Sequence, residues 1–244
     1  VLAEADEIAK TMTPEKDHKL VETIVIKTQG FVSGNFSEND EAPIQKFREF
    51  LELYKGIDKD KLRENMKYFL EAIMPVCEEC NINMCVHPDD PPIEVLGLPR
   101  IVRTEDDIRW FLEAVPNKHN GLTFCAGSLS AGAYNNVVEL AKEFAPRTHF
   151  IHLRSCHIFP NGDFTEASHL GGRADLVELC RIFEKENPSL PMRVDHGMTF
   201  TDEPGGIFDE TNHGHNSGYT LLGRMFAMGQ VQGILATVDR ELGL

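Results

Sequence analysis

The sequence lacks most of the features that would direct a chain to a membrane, to nucleic acid or into an oxidising compartment. No apolar run approaches the ~18 residues that a membrane-spanning helix needs. Basic residues are scarce, with 24 Lys and Arg against 39 Asp and Glu, for a formal charge of -15. Without a basic patch, binding to nucleic acid or to an anionic membrane is disfavoured. An anionic small molecule stays open as a substrate, but positive charge would have to be assembled locally for it. No signal-peptide pattern is read at the start. The six cysteines, Cys77, Cys80, Cys85, Cys125, Cys156 and Cys180, fall inside apolar elements and not at regular loop spacings. This usage predicts free thiols in a reducing, cytoplasmic setting, not a disulfide framework. No glycine-rich G-x-G-x-x-G turn follows any strand, which argues against an open dinucleotide-binding sheet.

What is present is ordinary globular composition, 41% hydrophobic and 26% charged over 244 residues. It allows one large domain or two small ones. Residues 1–43 read as a helical, polar segment ending in a flexible acidic loop (33–43), an insertion or N-terminal remnant of the domain that follows. From Ile44 the pattern turns helical, and residues 59–80 predict a longer helix with Leu62, Met66, Phe69, Leu70, Ile73 and Met74 on one face. Cys77 and Cys80 are read as core within it. Short apolar runs at 82–86, 122–125, 148–152, 191–194 and 231–236 then alternate with helices near 105–115, 134–144, 174–186 and 218–228. Such alternation predicts α/β architecture with a parallel sheet. Reactive side chains recur at the C-terminal ends of these strands, which favours a (β/α)8 barrel. Residues 44–244 would then hold about the last five of its strands. A start at Val1 rather than Met fits that partial reading.

Four strand ends carry the chemistry. They read CVHPDDPP (85–92), FCAGS (124–128), HFIHLRS (149–155) and MRVDHG (192–197). Side chains alternate faces along a strand, so Cys85 and His87 share a face, as do His152 and Arg154, and Arg193 and Asp195. If that face is the barrel interior, His87, Cys125, His152 and Asp195 converge as a divalent-metal site, the thiolate and carboxylate balancing the ion's charge. Taken singly, each has a structural explanation: a loop-capping His87, an inert strand Cys125, a core His152, a turn-capping Asp195. Asp90 would orient groups just beyond His87, Arg154 would hold a substrate carboxylate bidentately, and His169 follows in the next loop. The competing role for Arg154 is an ion pair with a neighbouring acid. His196 and Tyr219 are candidates to move protons. His213 and His215 read as a surface loop.

The motifs HPDDPP, CAGS, HLRS, DHG and GYTLLGR, in this order, resemble the mannonate dehydratase family. So does the upstream helical piece FREFLELYKGIDKDKLRENMKYFLEAIMPVCEE. The resemblance runs over residues 44 to 240. It implies a xylose-isomerase-like (β/α)8 barrel, a hydro-lyase that converts D-mannonate to 2-keto-3-deoxy-D-gluconate in hexuronate breakdown, and a homodimer or larger assembly. It also implies one manganese or ferrous ion held by His87, Cys125, His152 and Asp195, with His196 and Tyr219 as acid/base groups. Arg154, His169 and Asp90 would contact substrate. Two features depart from the family: the stretch 198–218 is longer than expected, and Ser217 stands where the family often has proline. Alternatives are a metal-dependent sugar isomerase on a related barrel, disfavoured by Cys125 and HPDDPP, and a non-catalytic barrel remnant.

Overall fold

The computed structural model describes residues 2–22, 42–200 and 218–244. The expected flexible loop up to residue 41, most of the long 198–218 stretch, and His213 and His215 lie outside the described residues. The chain groups into two compact units, residues 1–57 and 58–244. The first holds α1 (Leu2–Lys10), α2 (Pro14–Glu22) and α3 (Ala42–Leu53). The boundary expected between 43 and 44 falls inside α3.

The second unit opens with α4 (Lys59–Cys80). Asp58 caps its N-terminus, its carboxylate accepting from the Lys61 amide at 2.8 Å. Asn81 ends it in the left-handed region at φ 52°, a conformation asparagine tolerates better than most residues. Leu70, Met74 and Cys77, spaced i, i+4, i+7, are buried. Phe69 and Cys80 are not, so the buried stripe is narrower than the pattern predicts.

The sheet follows. Strands β1 (Met84–Val86), β2 (Asn120–Cys125), β3 (Thr148–Leu153) and β6 (Met192–Val194) pair in the order β1-β2-β3-β6, every neighbour parallel. Helices α5 (Glu105–Ala114), α7 (Val137–Phe144, preceded by the short α6, Ala126–Ala131) and α8 (Leu176–Glu186) connect them. Each is N-capped by a side chain, from Thr104, Asn136 and Asp175 respectively. Their apolar faces bury Ile108, Phe111, Leu140, Leu179 and Phe183 against Leu122, Phe124, Ile151 and Leu153 of the central strands. The Phe124 and Phe183 rings meet edge to face at 5.0 Å.

Two elements differ from the sequence expectation. A short antiparallel hairpin, β4 (Cys156–Ile158) and β5 (Phe164–Glu166), follows β3. Its strands are too short to show a period. Residues 231–236, expected as a fifth parallel strand, instead lie within α9 (Leu221–Leu242). The described residues therefore hold four parallel strands, not five. The six-residue window VQGILA reads as an apolar strand, but over the whole segment the buried positions are Gly223, Ala227, Val231, Ile234 and Val238, a helical stripe. Gly223 permits this packing, since a Cβ there would come within 1.9 Å of the Met198 carbonyl oxygen. Among the described residues, no helix is long and apolar enough to cross a membrane. All six cysteines are free.

Candidate functional site

The site arises from strand alternation. On β2, Leu122 and Phe124 point into the helix-covered core. Thr123 and Cys125 therefore point to the other face, where the Thr123 hydroxyl donates to Cys85 Sγ at 3.1 Å. Parallel register sets Cys125 beside His152, and His152 beside Arg193. His87 lies one residue beyond β1, and Asp195 one beyond β6, tied down by its amide donating to the Leu153 carbonyl at 3.0 Å. Thus all four strand ends expected to converge do lie at the same end of one sheet.

His87, Cys125 and His152 come together, with one ligand atom from each within 4.8 Å of the others. Asp195 adjoins this trio, its Oδ2 lying 3.6 Å from His152 Nδ1 and 4.0 Å from Cys125 Sγ. His87 sits at the solvent edge, and its Nδ1 contacts the Pro88 carbonyl at 2.7 Å. A proton held there leaves Nε2 bare. Burial pushes the Cys125 thiol up, but the His152 and His87 imidazoles and Ser128 outweigh it and bring it down to about 6. Burial likewise acts against a charged His87, and the neighbouring Cys125 more than offsets it, so its pKa is raised. Burial raises the Asp195 carboxyl, while His196, His152 and Arg154 together hold it below its usual range.

This donor set fits a divalent cation. Two imidazoles, a thiol poised to ionise and an adjacent carboxylate are the borderline-soft set that manganese, iron or zinc accepts. His152 Nδ1 gives an independent sign: it is buried and has no hydrogen-bond partner among the described residues, an arrangement that buried polar atoms rarely keep without a ligand.

Around the trio runs a network of buried charge. Arg154 is 2% exposed. Its guanidinium bonds both oxygens of Glu166, with Nη2 to Oε1 at 2.6 Å and Nε to Oε2 at 2.9 Å, and it also pairs with Asp90. Its stem crosses Gly127 of the CAGS motif, where a Cβ would come within 2.2 Å of it. The Ser128 hydroxyl lies 3.1 Å from both Asp90 Oδ2 and Cys125 Sγ. Arg154 therefore occupies the ion-pair arrangement that the sequence left as its competing role. His169 is 1% exposed, its Nε2 bonded to the Leu153 carbonyl at 2.7 Å. Asp89, beside Asp90, accepts from the Ile101 and Val102 amides at 2.8 and 2.7 Å and so fixes the loop after β1.

On the far side of Asp195 stand His196 and Tyr219, with ring centroids 4.9 Å apart. The Tyr219 hydroxyl donates to Asp195 Oδ1 at 3.2 Å and accepts from Arg193 Nη2 at 3.4 Å. His196 Nδ1 contacts Glu166 Oε1 at 3.0 Å. Sequence reasoning missed Glu166, Ser128 and Arg193 as members of this site. Ser128 and Arg193 lay inside motifs already singled out, and Arg193 shares a face with Asp195 by parity. Glu166 sits in the short hairpin, and its one sequence signal is being an acid in the segment following a barrel-type strand.

Comparison with known proteins meets this geometry. A family model described as D-mannonate dehydratase (UxuA) matches residues 6–242. The chain belongs to the D-mannonate dehydratase family. Mannonate dehydratase of Marinomonas sp. (strain MWYL1) is 40% identical over 99% of this chain and 59% of its own length. That of Thermotoga petrophila is 39% identical over 81% of this chain and 59% of its own length. The crystal structure of mannonate dehydratase from Streptococcus suis serotype 2 matches with a TM-score of 0.72 at 27% identity, over 84% of this chain and 58% of that one. The chain thus spans 48–59% of the length of the curated relatives it matches.

Proposed function

We propose that this site belongs to a metal-dependent hydro-lyase that dehydrates D-mannonate to 2-keto-3-deoxy-D-gluconate. The observation that carries this reading is the His87, Cys125 and His152 group, flanked by Asp195 and by the stacked pair His196 and Tyr219. Family membership supports the substrate class. His87, Cys125, His152 and Asp195 would hold one manganese or ferrous ion. Such an ion, when bound, supplies Lewis-acid stabilisation of the negative charge that develops on the substrate carboxylate.

The protein's own groups do the rest. Dehydration breaks the C2–H and C3–OH bonds, so one group accepts the C2 proton and another donates a proton to the departing hydroxyl. His196 and Tyr219 are the two proton carriers at the mouth of the site. The enol left behind takes up a proton at C3 and becomes the 2-keto acid. Of the residues expected to contact substrate, Asp90 keeps solvent access with its side chain 27% exposed, whereas Arg154 and His169 are enclosed and paired. We assign Arg154 and His169 to holding the site's shape. Arg193, with its side chain 43% exposed beside Tyr219, is the cation best placed to meet a substrate carboxylate.

We further propose that the sheet is an arc of a (β/α)8 barrel, supported by parallel strands with connecting helices and by polar groups gathered at one strand end. The free thiols support a reducing, cytoplasmic setting. A homodimer or larger assembly is proposed from family membership alone. The deciding experiment follows product from D-mannonate with the intact gene product, after chelation and again with manganese restored. The expected result is metal-dependent formation of a 2-keto-3-deoxy acid, lighter than substrate by one water. Product of unchanged mass would replace this reading with a sugar isomerase.

A further inference from the structure

Glu166 has no role in the chemistry set out above, yet it is the point where the buried network meets a proton carrier. It lies at the end of β5, paired across the hairpin with Cys156. Its Oε1 faces His196 Nδ1 at 3.0 Å and also accepts from Arg154 Nη2 at 2.6 Å. Arg154 cannot follow Glu166 if it moves, because it is pinned at once to Asp90 and against Gly127. Glu166 is therefore anchored from behind by a charge-assisted pair and presents a fixed acceptor to one imidazole nitrogen.

We propose that Glu166 is a positioning residue for the dehydration: it fixes the His196 ring and holds its proton on Nδ1, leaving Nε2 as the nitrogen that exchanges a proton with substrate. Carboxylates that take one ring N–H of a working histidine set the tautomer and orientation of the other nitrogen in this way. The geometry is consistent with the choice of nitrogen. Each ring nitrogen faces a carboxylate oxygen, Nδ1 that of Glu166 at 3.0 Å and Nε2 that of Asp195, an expected ligand of the ion, at 3.4 Å toward the trio, so the shorter contact selects Nδ1 as the donor. A free neutral imidazole has no such constraint and samples both tautomers and ring flips. This inference rests on the reading of His196 as a proton carrier.

The test has a spectroscopic arm and a kinetic arm. In ¹⁵N-histidine-labelled, chelated protein near pH 8, the His196 signals are identified by their loss in His196→Asn. The expected pattern is Nδ1 protonated and Nε2 bare. Finding wild-type His196 protonated on Nε2 alone would overturn the proposal, whatever any variant does. Glu166→Ala should shift the population toward the other tautomer, and Glu166→Gln, which keeps an oxygen for Nδ1–H, should largely restore it. In turnover with manganese, Glu166→Ala should lower kcat about 10–100-fold, with KM changed less than about threefold and with Glu166→Gln recovering much of the loss. On a His196→Asn background the same substitution should cost almost nothing more, because residues acting as a unit are not additive. A full additional loss on that background would mean that Glu166 acts through Arg154 or the scaffold, and the proposal falls. If His196→Asn itself keeps its turnover, the acid/base reading fails, while the tautomer pattern still decides what Glu166 does to the ring.

Discussion

The two faces of β2 carry opposite kinds of chemistry on alternate residues. Leu122 and Phe124 face the helices, are 0% exposed and pack in an apolar cluster that includes Phe183. Thr123 and Cys125, in the same four residues, face thiols, imidazoles and a carboxylate. Both faces are buried, so burial alone does not distinguish core from site. What differs is how the burial is stabilised. One face gains from removing apolar surface from water and from dispersion contacts. The other encloses polar groups, each of which is costly unless it finds a partner. The first face is tolerant of another hydrophobic residue of similar volume. On the second, exchanging a donor for an acceptor breaks the arrangement.

The sharpest way to break this comparison is to change one atom's chemistry on the polar face and one side chain's volume on the apolar face. His196→Asn should lower kcat by roughly 10²–10⁴-fold, with manganese binding and the thermal transition nearly unchanged. Steady-state kinetics beside calorimetric metal titration checks this, and turnover within tenfold of wild type would remove His196 from the proton transfer. Phe124→Ala should do the reverse, costing about 3–5 kcal/mol of folding stability in denaturant unfolding while leaving metal affinity per folded molecule intact. Cys125→Ser keeps the size of the side chain on the polar face but replaces a thiol that ionises at about 6 with a hydroxyl that does not. It should cut metal affinity by at least about tenfold with less than about 1.5 kcal/mol lost in stability.

How much of this was readable in advance follows from the same contrast. The parallel sheet and the strand-end trio were legible because period-2 alternation places side chains without knowledge of neighbours, and four strands put their chemistry at the same end. The α9 segment was misread at 231–236 because six residues hold less than two helical turns, and so short an apolar run is read as a buried strand unless the i, i+3, i+4 spacing of Val231, Ile234 and Leu235 is followed along the whole segment. Glu166 and the pairing of Arg154 depend on a hairpin of three-residue strands, where no periodic signal exists and only the tertiary contact reveals the partner. An arginine beside a metal-type site reads as a substrate clamp from sequence alone. The two acids that occupy it lie 64 and 12 residues away.

The gentlest test asks whether a buried charge on the helix side behaves like the polar face or like the core. Asp107, in the first turn of α5, is 1% exposed, and its carboxylate meets Lys59 at 2.6 Å and Arg63 at 2.7 Å while Oδ2 takes the Arg103 amide at 3.3 Å. Burial alone would raise its pKa, but Lys59, the Arg103 amide and Arg63 together hold it below its usual value. The unfolded chain therefore binds this proton more readily than the folded one, and the stabilisation is complete above the unfolded pKa near 3.9. It is lost as pH falls below that value through the depressed folded pKa. Asp107→Asn should cost about 1–3 kcal/mol near neutrality, measured by urea unfolding, and the deficit should narrow as the pH is lowered past about 3.9. A deficit of constant size from neutral to acid pH would mean that Asp107 acts by its shape and hydrogen bonds, as core residues do, and not by its charge.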